Sequence, residues 1–184
     1  MSTYYKTAKP EGGILCYHYN GGVDWCFYPG KSKKVLIESL KYCQKEKGLE
    51  VYAYCIMTNH NHMIWKGAGE IGLAQIIRDF KKFTSKRILN IIEEEPESSR
   101  KWMHNYFEDV CKHLKREQKY KVWKDGYHAE ILYSRKFLLQ KLHYIHNNPV
   151  KARIVDNPEH YLFSSARNYA GLDEELEIVL IDLF

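Results

Sequence analysis

The pattern of apolar and polar positions marks out the elements of this chain. Gly12 and Gly13 open an apolar, β-prone run from Ile14 to Tyr19. Asn20-Gly21-Gly22 reads as a turn, and Val23 to Tyr28 as a second apolar run. From Ser32, the expected N-cap, Leu36, Leu40 and Cys43 fall on one helical face, and Gly48 follows as a C-cap. Leu49 to Met57 is apolar on both sides: Leu49, Val51, Ala53, Cys55 and Met57 alternate with Tyr52, Tyr54 and Ile56. A strand apolar on both faces is expected in the middle of a sheet. Thr58-Asn59 reads as a tight turn and His60 to Lys66 as the next strand.

Ala68-Gly69 breaks the chain. Leu73, Ile76, Ile77, Phe80 and Phe83 then predict a long amphipathic helix, which ends at the polar, proline-containing stretch Glu93 to Arg100. Trp102 to Tyr120 reads as a helix of mixed charge, and Lys124-Asp125-Gly126 as a turn within Val122 to Ile131. Leu138, Leu142 and Ile145 predict a helix from Ser134 to Asn148, which Pro149 is expected to end. Two short elements follow Asp156. No repeat or low-complexity tract is visible. The expectation is one α+β domain spanning 1–184, with a core of about 12–150 and a C-terminal extension of about 151–184.

Composition narrows the class. The 184 residues suit one domain, and 28 Lys and Arg against 23 Asp and Glu give a net charge of +5. That balance is compatible with nucleic acid without proving it. Tyrosine is abundant, with 15 copies. Five widely spaced cysteines without a C-x-x-C pair point to reduced thiols, and the polar N-terminus lacks the apolar stretch of a signal peptide. No run approaches a membrane span, so a cytoplasmic location is expected.

Three features could carry chemistry. His60 and His62 flank Asn61, and residues two apart on a strand share a face, so both imidazoles can reach one metal ion. On its own, H-x-H is more often a pair of polar strand residues. The residues that follow, Met63, Ile64 and Trp65, exclude an HxHxDH hydrolase motif. Tyr144 and Asn148 lie one turn apart on a helix, so they too share a face. An Asn oxygen can join two imidazoles on a metal and leave coordination positions open, with the phenol beside whatever the ion binds. The third feature is the basic series Arg78, Lys81, Lys82, Lys86 and Arg87, with Lys141, Lys151 and Arg153 further on. A charged run is usually a solvated helix face. Interleaved with aromatic residues, it also suits the backbone and bases of single-stranded nucleic acid.

These segments resemble one family. Tyr54–Trp65 (YCIMTNHNHMIW), Phe80–Lys86 (FKKFTSK), Trp123–His128 (WKDGYH), Tyr144–Val155 (YIHNNPVKARIV) and Asn157–Gly171 (NPEHYLFSSARNYAG) are together similar to the REP-associated tyrosine transposases. Those are HUH-type enzymes related to single-tyrosine insertion-sequence transposases. The resemblance runs over nearly the whole chain. It implies a ferredoxin-like (RRM-like) antiparallel sheet with helices on one face, plus a helical C-terminal extension. It also implies Tyr144 as nucleophile, a divalent Mg or Mn ion on His60, His62 and Asn148, and single-stranded or hairpin DNA as partner. The reaction implied is cleavage and rejoining through a 5′-phosphotyrosine bond. The alternative is a non-catalytic hairpin-binding protein of the same fold. Monomer and homodimer both remain open.

Where that family carries a hydrophobic residue between the histidines, this chain has Asn61. It is expected to point away from the metal, toward a less buried reverse face or a polar partner. Tyr161, Phe163 and Tyr169 are expected to pack the extension onto the body, and Arg167 to be structural or to contact phosphate.

Overall fold

A computed structural model describes residues 15–19, 30–94, 122–123, 128–132 and 134–181, with isolated positions between 96 and 105. The apolar run at Val23 to Tyr28, the turns at Asn20 to Gly22 and at Lys124 to Gly126, and nearly all of the helix expected at Trp102 to Tyr120 lie outside these residues.

The elements follow one another as β1 (Leu15–Tyr19), α1 (Lys31–Lys47), β2 (Leu49–Ile56), β3 (Asn61–Gly67), α2 (Leu73–Glu93), β4 (His128–Ile131) and α3 (Arg135–Lys151), then a 3₁₀ turn at Pro158–His160 and α4 at Ala166–Tyr169. The strands form an antiparallel sheet in the order β2-β3-β1-β4. The α+β class expected from the pattern is therefore found.

Alternation along β3 divides the sheet into two faces. Asn61, Met63 and Trp65 line a cleft with Ile77, Phe80 and Lys81 of α2. Residues in between point the other way, and there His62 meets Tyr144 of α3. Helices thus occupy both faces, α2 one and α3 the other, which corrects the expectation of helices on a single face. The reason is that both faces of the inner strands are apolar and each needs cover. Asn61 is only 3% exposed, so the reverse face is buried at that point.

β2 is an edge strand, not a central one. The backbone groups along its outer edge are met by the C-terminal extension. Ile56 N–H donates to Phe163 O at 2.9 Å, Ser165 N–H to Tyr54 O at 2.9 Å, and Val179 N–H to Val51 O at 2.8 Å. The extension closes an edge that would otherwise invite pairing with another chain. Tyr161 and Phe163 are buried, and Tyr169 packs against the core, as expected. Lys33 of α1 donates to Tyr161 Oη at 2.7 Å, and that hydroxyl donates to Ile56 O at 2.8 Å.

Three local expectations are revised. The N-cap of α1 is Gly30, at φ 87°, and Ser32 lies inside the first turn, buried. Glycine permits that sharp entry without a Cβ clash. In α2 the buried stripe is Leu73, Ile76, Ile77, Phe80, Thr84, Ile88 and Ile92. Phe83 falls beside this stripe and is 56% exposed. Ser134 does cap α3, accepting from Phe137 N–H, but Pro149 sits buried inside the helix. Only its N–H is missing from the ladder, and burial of the ring against the core favours another turn, which ends with Arg153 at φ 56°.

Candidate functional site

The site forms where β3 begins and α3 crosses. The turn at Thr58-Asn59 is closed by Met57 N–H donating to His60 O at 2.9 Å. It delivers His60 just ahead of β3, with His62 two residues on. The two imidazoles lie edge to face with centroids 4.8 Å apart, and His62 meets the Tyr144 ring in the same way at 5.4 Å. His62 is 2% exposed, whereas Tyr144 is 38% exposed.

Asn148 completes the group. Its Nδ2 donates to Tyr144 O at 2.8 Å, which directs the amide oxygen away from its own helix. Burial holds the His60 pKa below the ordinary value, and a hydrogen bond with Asn148 opposes that shift. A neutral imidazole is the form that binds a metal. Lys151 stands with Nζ 5.1 Å from the centre of the Tyr144 ring. His60, His62, Tyr144 and Asn148, chosen from sequence, therefore come together in one chain.

Among the described residues no cluster of three or more His, Cys, Asp or Glu is present. The donor set available for a divalent ion is two imidazoles and one amide oxygen, all neutral. Such a set fits a divalent cation, leaves its charge undiminished and leaves some of its coordination positions open.

The basic residues divide between the two faces. Lys141 lies over the Phe137 ring at 5.2 Å, and Lys151 and Arg153 follow at the end of α3, on the site's side of the sheet. Arg78, Lys81, Lys82, Lys86 and Arg87 are on α2, across the sheet from Tyr144. Arg78 contacts Asp79 at 3.3 Å, and Asp79 also pairs with Lys47 at 2.7 Å. A cavity of about 710 Å³ lies between α1 and α2, with Val35, Tyr42 and Phe83 in its walls and Arg87 among its basic residues. Arg167 donates to Asp173 O at 2.7 Å and to Glu159 O at 3.1 Å, a structural role within the extension.

Sequence reasoning passed over His146 and Ser165. Both are buried, and they share a hydrogen bond of 2.8 Å. Burial and the neighbouring His143 lower the His146 pKa to about 4. A polar residue two positions from both Tyr144 and Asn148 was the available signal.

The architecture is a sheet covered on both faces, with two histidines and a tyrosine meeting on one of them. A solved structure of a REP-associated tyrosine transposase bound to a REP hairpin matches it with a TM-score of 0.60 at 18% identity, over 100% of this chain and 95% of that one. Identity that low carries the fold alone. The chain belongs to the IS200-like transposase family, whose model matches residues 27–118, half of its length. His60 and His62 lie within that match, and Tyr144 and Asn148 beyond it. No curated protein matches the chain. Among the described residues no helix is long and apolar enough to cross a membrane.

Proposed function

We propose that this protein cleaves and rejoins single-stranded DNA at hairpin elements through a transient bond between Tyr144 and a 5′-phosphate. The observation that carries the reading is the meeting of Tyr144 with His62, at 5.4 Å, on the sheet face that also holds His60 and Asn148. The βαββαβ order and the strand order fit a ferredoxin-like core. Hairpin DNA is the partner of the structural relative, and by likeness the candidate substrate here.

Tyr144 Oη attacks the phosphorus in line. The Oη–P bond forms, the bond from phosphorus to the 3′-oxygen breaks, and the phenol proton is released while the departing oxygen gains one. The products are a 5′-phosphotyrosine and a free 3′-OH. Attack by a second 3′-OH reverses the step, so the energy of the phosphodiester is kept. His60, His62 and Asn148 would hold a Mg or Mn ion, which when bound draws charge from the phosphate oxygens. Lys151 sits beside Tyr144 to receive the backbone of the strand, with Lys141 on the same helix and Arg153 just past its end. The basic residues of α2 would meet DNA only where it wraps round the sheet.

The test is a labelled hairpin with a single-stranded flank, incubated with Mn and run on a denaturing gel. A protease-sensitive, slowly migrating band that Tyr144→Phe abolishes is expected. Free 5′-phosphate without an adduct would indicate a hydrolase. Hairpin binding unaffected by Tyr144→Phe, with no cleavage by either protein, would indicate a binding module.

A further inference from the structure

The two halves of the site come from different parts of the chain, and one buried oxygen connects them. Ser165, 0% exposed, belongs to the C-terminal extension. Its Oγ accepts from Tyr54 N–H at 2.9 Å and donates to Tyr54 O at 3.2 Å. His146 Nε2 lies 2.8 Å from the same oxygen. With the hydroxyl hydrogen given to Tyr54, Oγ accepts from His146 as the Nε2–H tautomer, and all its hydrogen-bonding capacity is used.

Tyr54 adjoins Cys55, and Cys55 stands opposite His62 in the β2–β3 register. On the other side, His146 lies midway between Tyr144 and Asn148. At about 100° per residue it projects from the opposite side of α3. The chain of contacts therefore runs from the histidine pair through β3, β2 and Ser165 to His146, and through one helix to the phenol and the amide. Tyr169 closes the same region, its ring 5.3 Å from that of His146 and its hydroxyl donating to Tyr52 O at 3.0 Å.

Leu142, Ile145 and Pro149 hold α3 to the sheet by burial. Apolar contact is non-directional, so it sets adhesion better than rotation. A roll of about 20° moves the tip of a side chain about 6 Å from a helix axis by about 2 Å. A displacement of about 1 Å can cost about 100-fold in rate. A directional bond on the back of the helix removes that freedom. A buried imidazole is costly unless it is hydrogen-bonded, and Ser165 supplies that bond, so the pair is held together.

We infer that His146 and Ser165 are positioning residues that set the rotation of α3, and so hold Tyr144 and Asn148 against the histidine pair, making the C-terminal extension part of the strand-transfer machinery. This rests on Tyr144 being the nucleophile.

The experiment compares the full-length protein with Ser165→Ala, His146→Phe and His146→Gln. Three quantities are measured: the single-turnover rate of adduct formation with a flanked hairpin and Mn, the affinity for that hairpin, and the NMR shift of the Tyr144 ring assigned with Tyr144→Phe. Ser165→Ala and His146→Phe are expected to slow the adduct about 10- to 100-fold, with hairpin affinity unchanged and the Tyr144 signal moved toward that of an exposed ring. His146→Gln, whose amide N–H can reach Ser165, is expected to restore most of the rate and the shift. Wild-type rate and shift in the first two variants would overturn the inference, as would a His146→Gln protein no better than His146→Phe. A parallel fall in rate and affinity would also overturn it. If the wild-type protein forms no adduct, the nucleophile reading falls, and the ring shift alone decides the positioning role. Should His146→Phe not fold, Ser165→Ala and His146→Gln carry the comparison.

Discussion

Tyr144 meets His62 edge to face, ring centroids 5.4 Å apart, with the tyrosine on α3 and the histidine on β3. The contact lies within one chain, so the proposed nucleophile and the histidine pair need no second copy to meet. Tyr144 is 38% exposed, and replacing it by Phe keeps the ring and its contact with His62. Tyr144→Phe is expected to change stability by less than about 0.5 kcal/mol while abolishing the adduct. Thermal melting beside the gel assay checks this.

The basic residues should separate by face. Lys151 lies against the Tyr144 ring, whereas Lys82 and Lys86 sit exposed on α2 across the sheet. With a short hairpin, Lys151→Ala is expected to weaken binding and to lower the salt slope by about one. Lys82→Ala and Lys86→Ala should leave both unchanged. Titrations at several salt concentrations decide it, and an equal effect from all three would show that DNA reaches both faces.

Gly48 ends α1 at φ 65°. A Cβ placed there would come within 2.7 Å of Gly69 N. Gly48→Ala therefore meets both a disfavoured backbone conformation and a backbone neighbour that cannot rotate away. A loss of at least about 1 kcal/mol is expected, measured as the shift in urea midpoint. The residue lies away from Tyr144, so adduct formation by the folded fraction should persist.

Alkaline pH should unfold the protein partly through Cys55. Burial pushes its thiol up to about 12 from an ordinary 9. A raised folded-state value means that the unfolded chain loses the proton first. The stabilisation is thus complete below about pH 9 and is lost as pH rises toward 12, roughly 4 kcal/mol in all. Burial likewise raises Tyr161 and Tyr169, which adds to the loss above about pH 10, whereas the lowered value of Lys33 opposes it. The unfolding free energy from urea titrations between pH 9 and 10 should fall less steeply in Cys55→Ala, by up to about 1.4 kcal/mol per pH unit.

Much of the candidate site is legible in local spacing alone. Two-residue spacing put His60 and His62 on one side of a strand, and four-residue spacing put Tyr144 and Asn148 on one side of a helix. These parities follow from covalent geometry and hold wherever the element lies. The mistaken readings share a cause as well. Leu49 to Met57 looked central because both its sides are apolar, yet the cover on its outer edge comes from Phe163, Ser165 and Val179, distant in sequence. Pro149 looked like a helix stop because local rules omit the free energy of burying its ring.

His146 and Ser165 were invisible for a related reason: a buried hydrogen bond between two unremarkable polar residues has no periodicity. The sequence by itself determined which residues share a face on each element, since backbone dihedrals repeat with a set period. Only the tertiary structure decided which faces meet: α2 against Asn61, α3 against His62, and the extension along β2. Those pairings depend on how the whole chain divides its apolar surface between two sides of one sheet, a sum over distant residues that no local window contains.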